Sequence, residues 1–386
     1  MRMVISILAA LALTLGPFAP AKAALTVSAP SAILIDAATG TVLFEQNADE
    51  RREPASVTKV MTLLLVMEAL DSGKIGWEDR VTASAAAAGK GGSQIYLEEG
   101  EQLSIDEMLK SVVVSSANDC ATALAEHVAG SEAAFVTLMN ARAAELGMEH
   151  THFVNCTGLD DGPEAGEHLT TARDVATMSR ALLRHKEIRR YTTIWTDTVR
   201  GGQFGLSNTN KLVRFYEGTT GLKTGYTSTA GHCLSASAER DGIELIAVVL
   251  GCASSSERFA DAKALLNWGF ANYALVHPAE GATLSPIPVK LGTAGTVTPV
   301  LAEPGPILIE KGQQTSIRRT VELPETLTAP VEKGEIIGTL TVCAGDTELA
   351  RLPLTADADV GRLTFSALCL SLLRAMWGGE YLRIVM

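Results

Sequence analysis

The chain of 386 residues is poor in aromatics, poor in cysteine and short of positive charge. Aromatics make up 5 %, and 44 acidic residues outnumber 32 Lys and Arg, for a net charge of −12. A general nucleic-acid binder carries a basic footprint, so that class is excluded. Six cysteines are too few for a disulfide scaffold, and the sequence selects none of their pairings. Cys120, Cys156, Cys233 and Cys252 sit beside apolar residues and read as buried thiols. No apolar run reaches the roughly 18–20 residues of a membrane-spanning helix. There is no G-x-S-x-G elbow, P-loop or G-x-G-x-x-G, no internal repeat and no low-complexity tract. His150 and His152 have neither an H-E-x-x-H pattern nor a third ligand, so they read as strand residues, and neither metal nor cofactor is expected. What is present is a 47 % apolar chain, long enough for two domains.

Both ends carry signals. Arg2, the apolar run Val4–Leu15, Gly16-Pro17 and then Ala21-Lys22-Ala23 read as a secretory leader cleaved before Ala24. An uncleaved anchor is the alternative. The mature protein is thus expected outside the cytoplasm, in the periplasm. At the other end, Leu363–Trp377 is mostly apolar. On a helical wheel its small and polar residues share one stripe, with Ser366 the exception. As a helix it spans roughly 22 Å, short of the ~30 Å hydrocarbon core. A helix over 360–386 lying on the membrane surface fits better, with Arg374, Trp377, Tyr381 and Arg383 near the headgroups. Docking on the protein's own core, or a dimer contact, are the alternatives.

Between the ends, 31–36 and 41–45 read as a hairpin, and Val57–Leu70 as a helix buried on nearly every face. Residues 105–145 alternate helical patterns with short breaks. Asn155–Gly166 reads as a loop, followed by a helix capped by Thr170 or Thr171. From Thr219 the period becomes strand-like over 219–227, 232–238 and 243–251, with a turn at Glu239–Gly242. A last helix is expected from about Glu257 to Tyr273. This order predicts an α+β domain over 24–276, in which the N-terminal hairpin joins the later meander in one antiparallel sheet around a helical insertion. His277-Pro278 marks a boundary, and 279–358 reads as a small all-β domain.

The chemistry concentrates in three places. Ser56 and Lys59 are three apart at the start of the buried helix, on one face. The helix N-terminus favours negative charge on a tetrahedral oxyanion. Burial among Val60, Met61 and Leu63 lowers a lysine's pKa, making a neutral amine that serves as general base. This is the only Ser-x-x-Lys in the chain; alone it equally describes an N-cap serine and a surface lysine. Ser116-Ala117-Asn118 supplies a second hydroxyl to relay a proton and an amide to hold Lys59 and a substrate carbonyl, or else is a polar loop. Lys223-Thr224-Gly225 lies on an expected strand. There an edge can pair with an extended peptide, two side chains can bind an anion, and a glycine admits the backbone closely.

These three motifs in this order resemble the signature set of penicillin-binding proteins and class A β-lactamases. Ile33–Ala37, Asn155–Asp161, Asn208–Asn210, Gly221–Gly231 and Arg258–Phe270 narrow the resemblance to low-molecular-mass penicillin-binding proteins of the D-alanyl-D-alanine carboxypeptidase family. It is close over roughly 28–275 and weaker through the β domain and tail. The resemblance implies a penicillin-binding/β-lactamase-like fold and a peptidoglycan stem peptide as substrate, with β-lactams as inhibitors. It implies that Ser56 is acylated, Lys59 takes its proton, and Ser116 passes a proton to the departing D-Ala. Asn118 would position the substrate, the backbone N–H groups of Ser56 and Tyr226 would form the oxyanion hole, and Lys223, Thr224, Gly225 and Arg258 would bind the substrate end. Many relatives have His where this chain has Tyr226, which leaves rate and inhibitor profile open. A β-lactamase is the second reading, but its Glu-x-x-Leu-Asn segment is missing: only Glu167-His168-Leu169, followed by Thr, lies in the interval. A catalytically silent wall-binding or divisome-interaction protein is the third, and the intact motifs argue against it.

Overall fold

The computed structural model of the protein describes residues 25–301, 305–367 and 369–370. The expected leader at 1–23 and most of the expected tail helix lie outside these residues.

The N-terminal hairpin pairs β1 (Ser31–Asp36) with β2 (Val42–Gln46). After it, the buried helix opens as a 3-10 turn over Ala55–Thr58 and becomes α-helical only in α1 (Lys59–Asp71). The expected single helix from Val57 is therefore two pieces. Ser56 lies in the tight first piece, next to Ala55 at φ 46°. Helices α2 (Ile105–Val114), α3 (Asn118–Ala129) and α4 (Glu132–Glu145) follow. Each start or stop has a local cause: a capping box of Ser104 and Glu107 on α2, left-handed Gly130 ending α3, and Ser131 accepting from Ala134 N on α4. Helix α5 (Ala172–Leu183) is capped by Thr171, whose side chain accepts from Asp174 N.

The meander is β3 (Thr219–Thr227), β4 (Gly231–Arg240) and β5 (Ile243–Cys252). Glu239 and Arg240 belong to β4, so the turn is shorter than expected. Only Asp241 and Gly242 form it, both left-handed (φ 51° and 79°), as a two-residue hairpin requires. The five strands run β2-β1-β5-β4-β3, all antiparallel, so the N-terminal hairpin does join the later meander. Both faces of the sheet are covered. Ile33, Ile35, Ile246, Val248 and Leu250 pack into the core with α1 to α5. The alternate residues Ala32, Leu34, Leu245, Ala247 and Val249 pack against α6 (Ser255–Asn272) on the other side. This alternation is the period-two signature of strands buried on both faces.

Beyond α6, Tyr273–Val276 pairs with Ile307–Glu310, across the expected boundary at 277–278. Through residue 356 the described remainder is strands, apart from a 3-10 helix over Lys311–Ser316. One sheet aligns Pro299–Leu301, Thr347–Ala356, Ile336–Ala344 and Ile317–Glu322, with small cores of its own. His152 makes one isolated bridge to Leu169 and lies in no strand, which corrects the strand reading of that segment. Among the described residues no helix is long and apolar enough to cross a membrane.

Candidate active site

Helix α1 is apolar all round, so it must be enclosed, and Lys59 is enclosed with it at 0 % exposure. Its ammonium nitrogen lies 2.9 Å from Ser56 Oγ, 2.5 Å from Asn118 Oδ1 and 2.8 Å from the Thr157 carbonyl. Burial, the dominant cause, pulls its pKa down from 10.5 to about 7, against the opposing influence of Cys156 and Asp119. An ammonium has three donors and satisfies all three oxygens. A neutral amine has two donors and one lone pair. Asn118 Oδ1 and the Thr157 carbonyl carry no proton, so the hydroxyl of Ser56 is the partner that turns round and donates. Loss of one proton from Lys59 thus aims a lone pair at Ser56, and at neutral pH a large share of the molecules are in that state.

Strand β3 is the free edge of the sheet, and its Lys223-Thr224-Gly225 stretch lies against the Ser56 turn. A Cβ on Gly225 would stand 2.7 Å from the Pro54 carbonyl and 3.0 Å from the backbone nitrogens of Ser56 and Val57, so only glycine fits there. Lys223 is 1 % exposed and donates to the Thr224 carbonyl. Burial, then Lys59 and Arg258, push its pKa well below the ordinary value. Arg258, from α6, donates to the Gly225 carbonyl (2.8 Å) and the Cys233 carbonyl (3.3 Å), and its buried Nε has no partner. Among the described residues none of Lys59, Lys223 and Arg258 forms an ion pair. Three buried basic groups, Arg258 among them, with no paired carboxylate leave a site complementary to an anion, whose arrival would favour their charged forms.

Ser116 lies between α2 and α3, 4 % exposed and left-handed at φ 64°. Among the described residues its hydroxyl has no hydrogen-bond partner. Asn118 starts α3; its amide donates to the Gly91 carbonyl (2.7 Å) and its backbone N–H to the Ser93 carbonyl. Tyr226 is 60 % exposed and stacks on His232, its register partner on β4, at 4.3 Å. Glu167 is exposed to solvent, unlike a base held over an acyl group.

Several contributors went unassigned in the sequence. Thr157 supplies the third oxygen on Lys59, held in place by Asn155, whose Oδ1 accepts from Thr157 N, Thr157 Oγ1 and Gly158 N. A Cβ on Gly158, at φ 80°, would collide with the Ala55 carbonyl. His168 Nδ1 accepts from Val154 N, so Nε2 carries the proton and donates to Thr58 Oγ1, which donates on to the Ala55 carbonyl. Burial, with His152 and Lys59, lowers the pKa of this histidine to about 4, so it is neutral. Thr224 donates to Thr209. The Asn-x-Thr-Gly run of 155–158 was a readable turn signal; the contacts of His168 and Thr209 left no local trace.

A serine bonded to a buried lysine of lowered pKa, flanked by an edge strand and an anion-complementary pocket, defines a serine acyl-transfer site. The family model described as D-alanyl-D-alanine carboxypeptidase matches residues 18–254, and one described as penicillin-binding protein 5, C-terminal domain, matches 278–362. The chain belongs to the D-alanyl-D-alanine carboxypeptidase family of serine peptidases. It is 41 % identical over 343 residues to D-alanyl-D-alanine carboxypeptidase DacF of Bacillus subtilis, covering 87 % of both chains. Against DacC of Escherichia coli it is 37 % identical over 349 residues, covering 87 % of this chain and 86 % of that one. The crystal structure of penicillin binding protein 5 from Haemophilus influenzae superposes with a TM-score of 0.71 at 32 % identity, covering 87 % of this chain and 98 % of that one. The fold and activity expected from the motifs therefore hold, and the β-lactamase and silent-scaffold readings are set aside.

Proposed function

We propose that the protein trims the terminal D-Ala from peptidoglycan stem peptides through an acyl-enzyme on Ser56, and that β-lactams acylate the same oxygen. The observation that carries this is the 2.9 Å contact between Ser56 Oγ and a lysine amine whose pKa is lowered to about 7. Ser56 Oγ attacks the carbonyl between the two D-alanines while its proton moves to Lys59 Nζ. The oxyanion lies against the N–H groups of Ser56 and Tyr226. The C–N bond then breaks, and a proton reaches the leaving amine from Lys59 through the hydroxyl of Ser116. Ser116 suits this relay because its hydroxyl is uncommitted. Thr224, Lys223 and Arg258 receive the terminal carboxylate, and Asn118 orients the peptide from the facing side. Water hydrolyses the ester and restores Ser56.

We further infer four segments: a leader at 1–23, a catalytic domain at 24–276, a β domain at 279–358 and a membrane-surface helix at 360–386. The protein would then work outside the cytoplasm, attached peripherally to the membrane's outer face. Support for the attachment is the amphipathic sequence of the tail and the exposure of Phe365 (81 %) and Leu370 (52 %) at its start. Mass spectrometry after penicillin treatment should place one adduct on Ser56, with D-Ala released from peptides ending in D-Ala-D-Ala. An unlabelled Ser56 rejects the mechanism. Deleting 362–386 should free the protein from membranes with D-Ala release intact; a truncated protein that still sediments with membranes rejects the anchor.

A further inference from the structure

Two carbonyl oxygens hold the catalytic pair from behind: Gly91 O accepts from Asn118, and Thr157 O accepts from Lys59. They belong to segments far apart in sequence, yet the residue before each is bound by one carboxylate. Glu132 Oε2 accepts from Lys90 Nζ at 2.6 Å. Glu132 Oε1 accepts from Cys156 N at 3.3 Å and from Cys156 Sγ at 3.2 Å. Glu132 is itself fixed in the first turn of α4, beside the Ser131 cap, where a negative charge is favoured. We propose that Glu132 is a positioning residue: its carboxylate latches the 90–93 and 155–158 segments together and so fixes the two carbonyls that set Asn118 and Lys59 against Ser56.

The electrostatics agree with a permanently closed latch. Burial works against both charges, yet their mutual bond outweighs it, so the pKa of Lys90 is raised and that of Glu132 lowered. Burial and Glu132 together drive the Cys156 thiol far up, so it stays a neutral donor. Asp161 also faces Lys90. A cavity of about 320 Å³ lies along this carboxylate, lined by Lys90, Glu132, Val154, Asn155 and Asp161 among others. Loosening the latch would admit water from it toward Lys59. The titratable groups facing Lys59 are Cys156, Asp119, Lys223 and His168. Because burial is the main cause of its lowered pKa, water would move that pKa upward.

The inference rests on acylation of Ser56, and acylation by a β-lactam across pH 5 to 9 tests it in the full-length chain, with a melting curve alongside. Glu132→Ala should lower the second-order acylation rate constant roughly ten-fold, since small misplacements of reacting groups cost up to about 10²-fold, and should move the midpoint of the pH profile upward. Glu132→Gln offers one acceptor oxygen but turns an NH2 donor toward either Lys90 or Cys156 N–H, and it brings no charge, so it should recover only a part of the lost rate. Lys90→Met, which retains the aliphatic stem, should lose several-fold should Glu132→Ala fail to fold. If folded Glu132→Ala matches wild type in rate and midpoint, or loses rate only in proportion to its unfolded fraction, the latch is overturned. A wild-type chain that is never acylated overturns the Ser56 reading itself, which separates the two failures.

Discussion

Lys59 and Lys90 are linked through Asn118 and the 90–93 segment, yet their pKa values are driven in opposite directions. Lys59 is wholly buried and bonded to three uncharged oxygens, so burial brings its pKa to about 7. Lys90 keeps 22 % of its side chain exposed and is bonded to a carboxylate, so its pKa rises. Lys59 makes three hydrogen bonds and Lys90 one, so counting hydrogen bonds would pick the wrong lysine as the charged one. What separates them is whether the partner carries a compensating charge. A general base needs the first arrangement and a structural strut needs the second, which are the roles proposed for Lys59 and Lys90.

Three substitutions probe this contrast. Removing the base should have the largest effect: Lys59→Ala should cut acylation by roughly 10²- to 10⁴-fold, the usual contribution of a positioned base. A stopped-flow measurement that finds less than ten-fold assigns the base elsewhere. Next comes turning Lys59 into a second Lys90. In wild type the free amine, and with it the acylation rate, should rise as pH increases through about 7 and level off above it. Asn118→Asp sets a carboxylate against the same ammonium. This favours the charged amine, so the midpoint should climb by roughly 1–3 units and acylation at pH 7 should drop at least ten-fold. An unmoved midpoint would show that Lys59 does not govern the profile. The smallest effect belongs to Lys90→Arg, which preserves the cation facing Glu132. Acylation should stay within about two-fold of wild type, and a large loss would mean that the fork of arginine, not charge, decides the fit.

How far the sequence could be read follows from where its signals are local. The α+β order, the hairpin that returns to the meander, the Thr171 cap and the burial of α1 were legible, because periodicity and caps act within a few residues. The start of α1 was not: its first turn is 3-10, and it lies against the Gly158 turn and is bonded to His168 through Thr58, both more than a hundred residues away. Ser56 and Lys59 were identifiable by spacing, and Asn118 and Lys223 by the motifs they lie in. The oxygen of Thr157 and the support of Thr224 by Thr209 needed the fold, since each joins segments that carry no mark of one another.

By itself, the sequence determined the chemical inventory: one serine three residues before a lysine in an apolar helix, a second hydroxyl near an amide, and a lysine on a strand. Tertiary structure alone decided the protonation of that inventory. The proposed role of Lys59 as a base rests on Asn118, 59 positions on, and Thr157, 98 positions on, which enclose it with oxygens that bring no charge. Spacing can place two side chains on one helical face, but the desolvation that sets a pKa is the sum of everything packed around them.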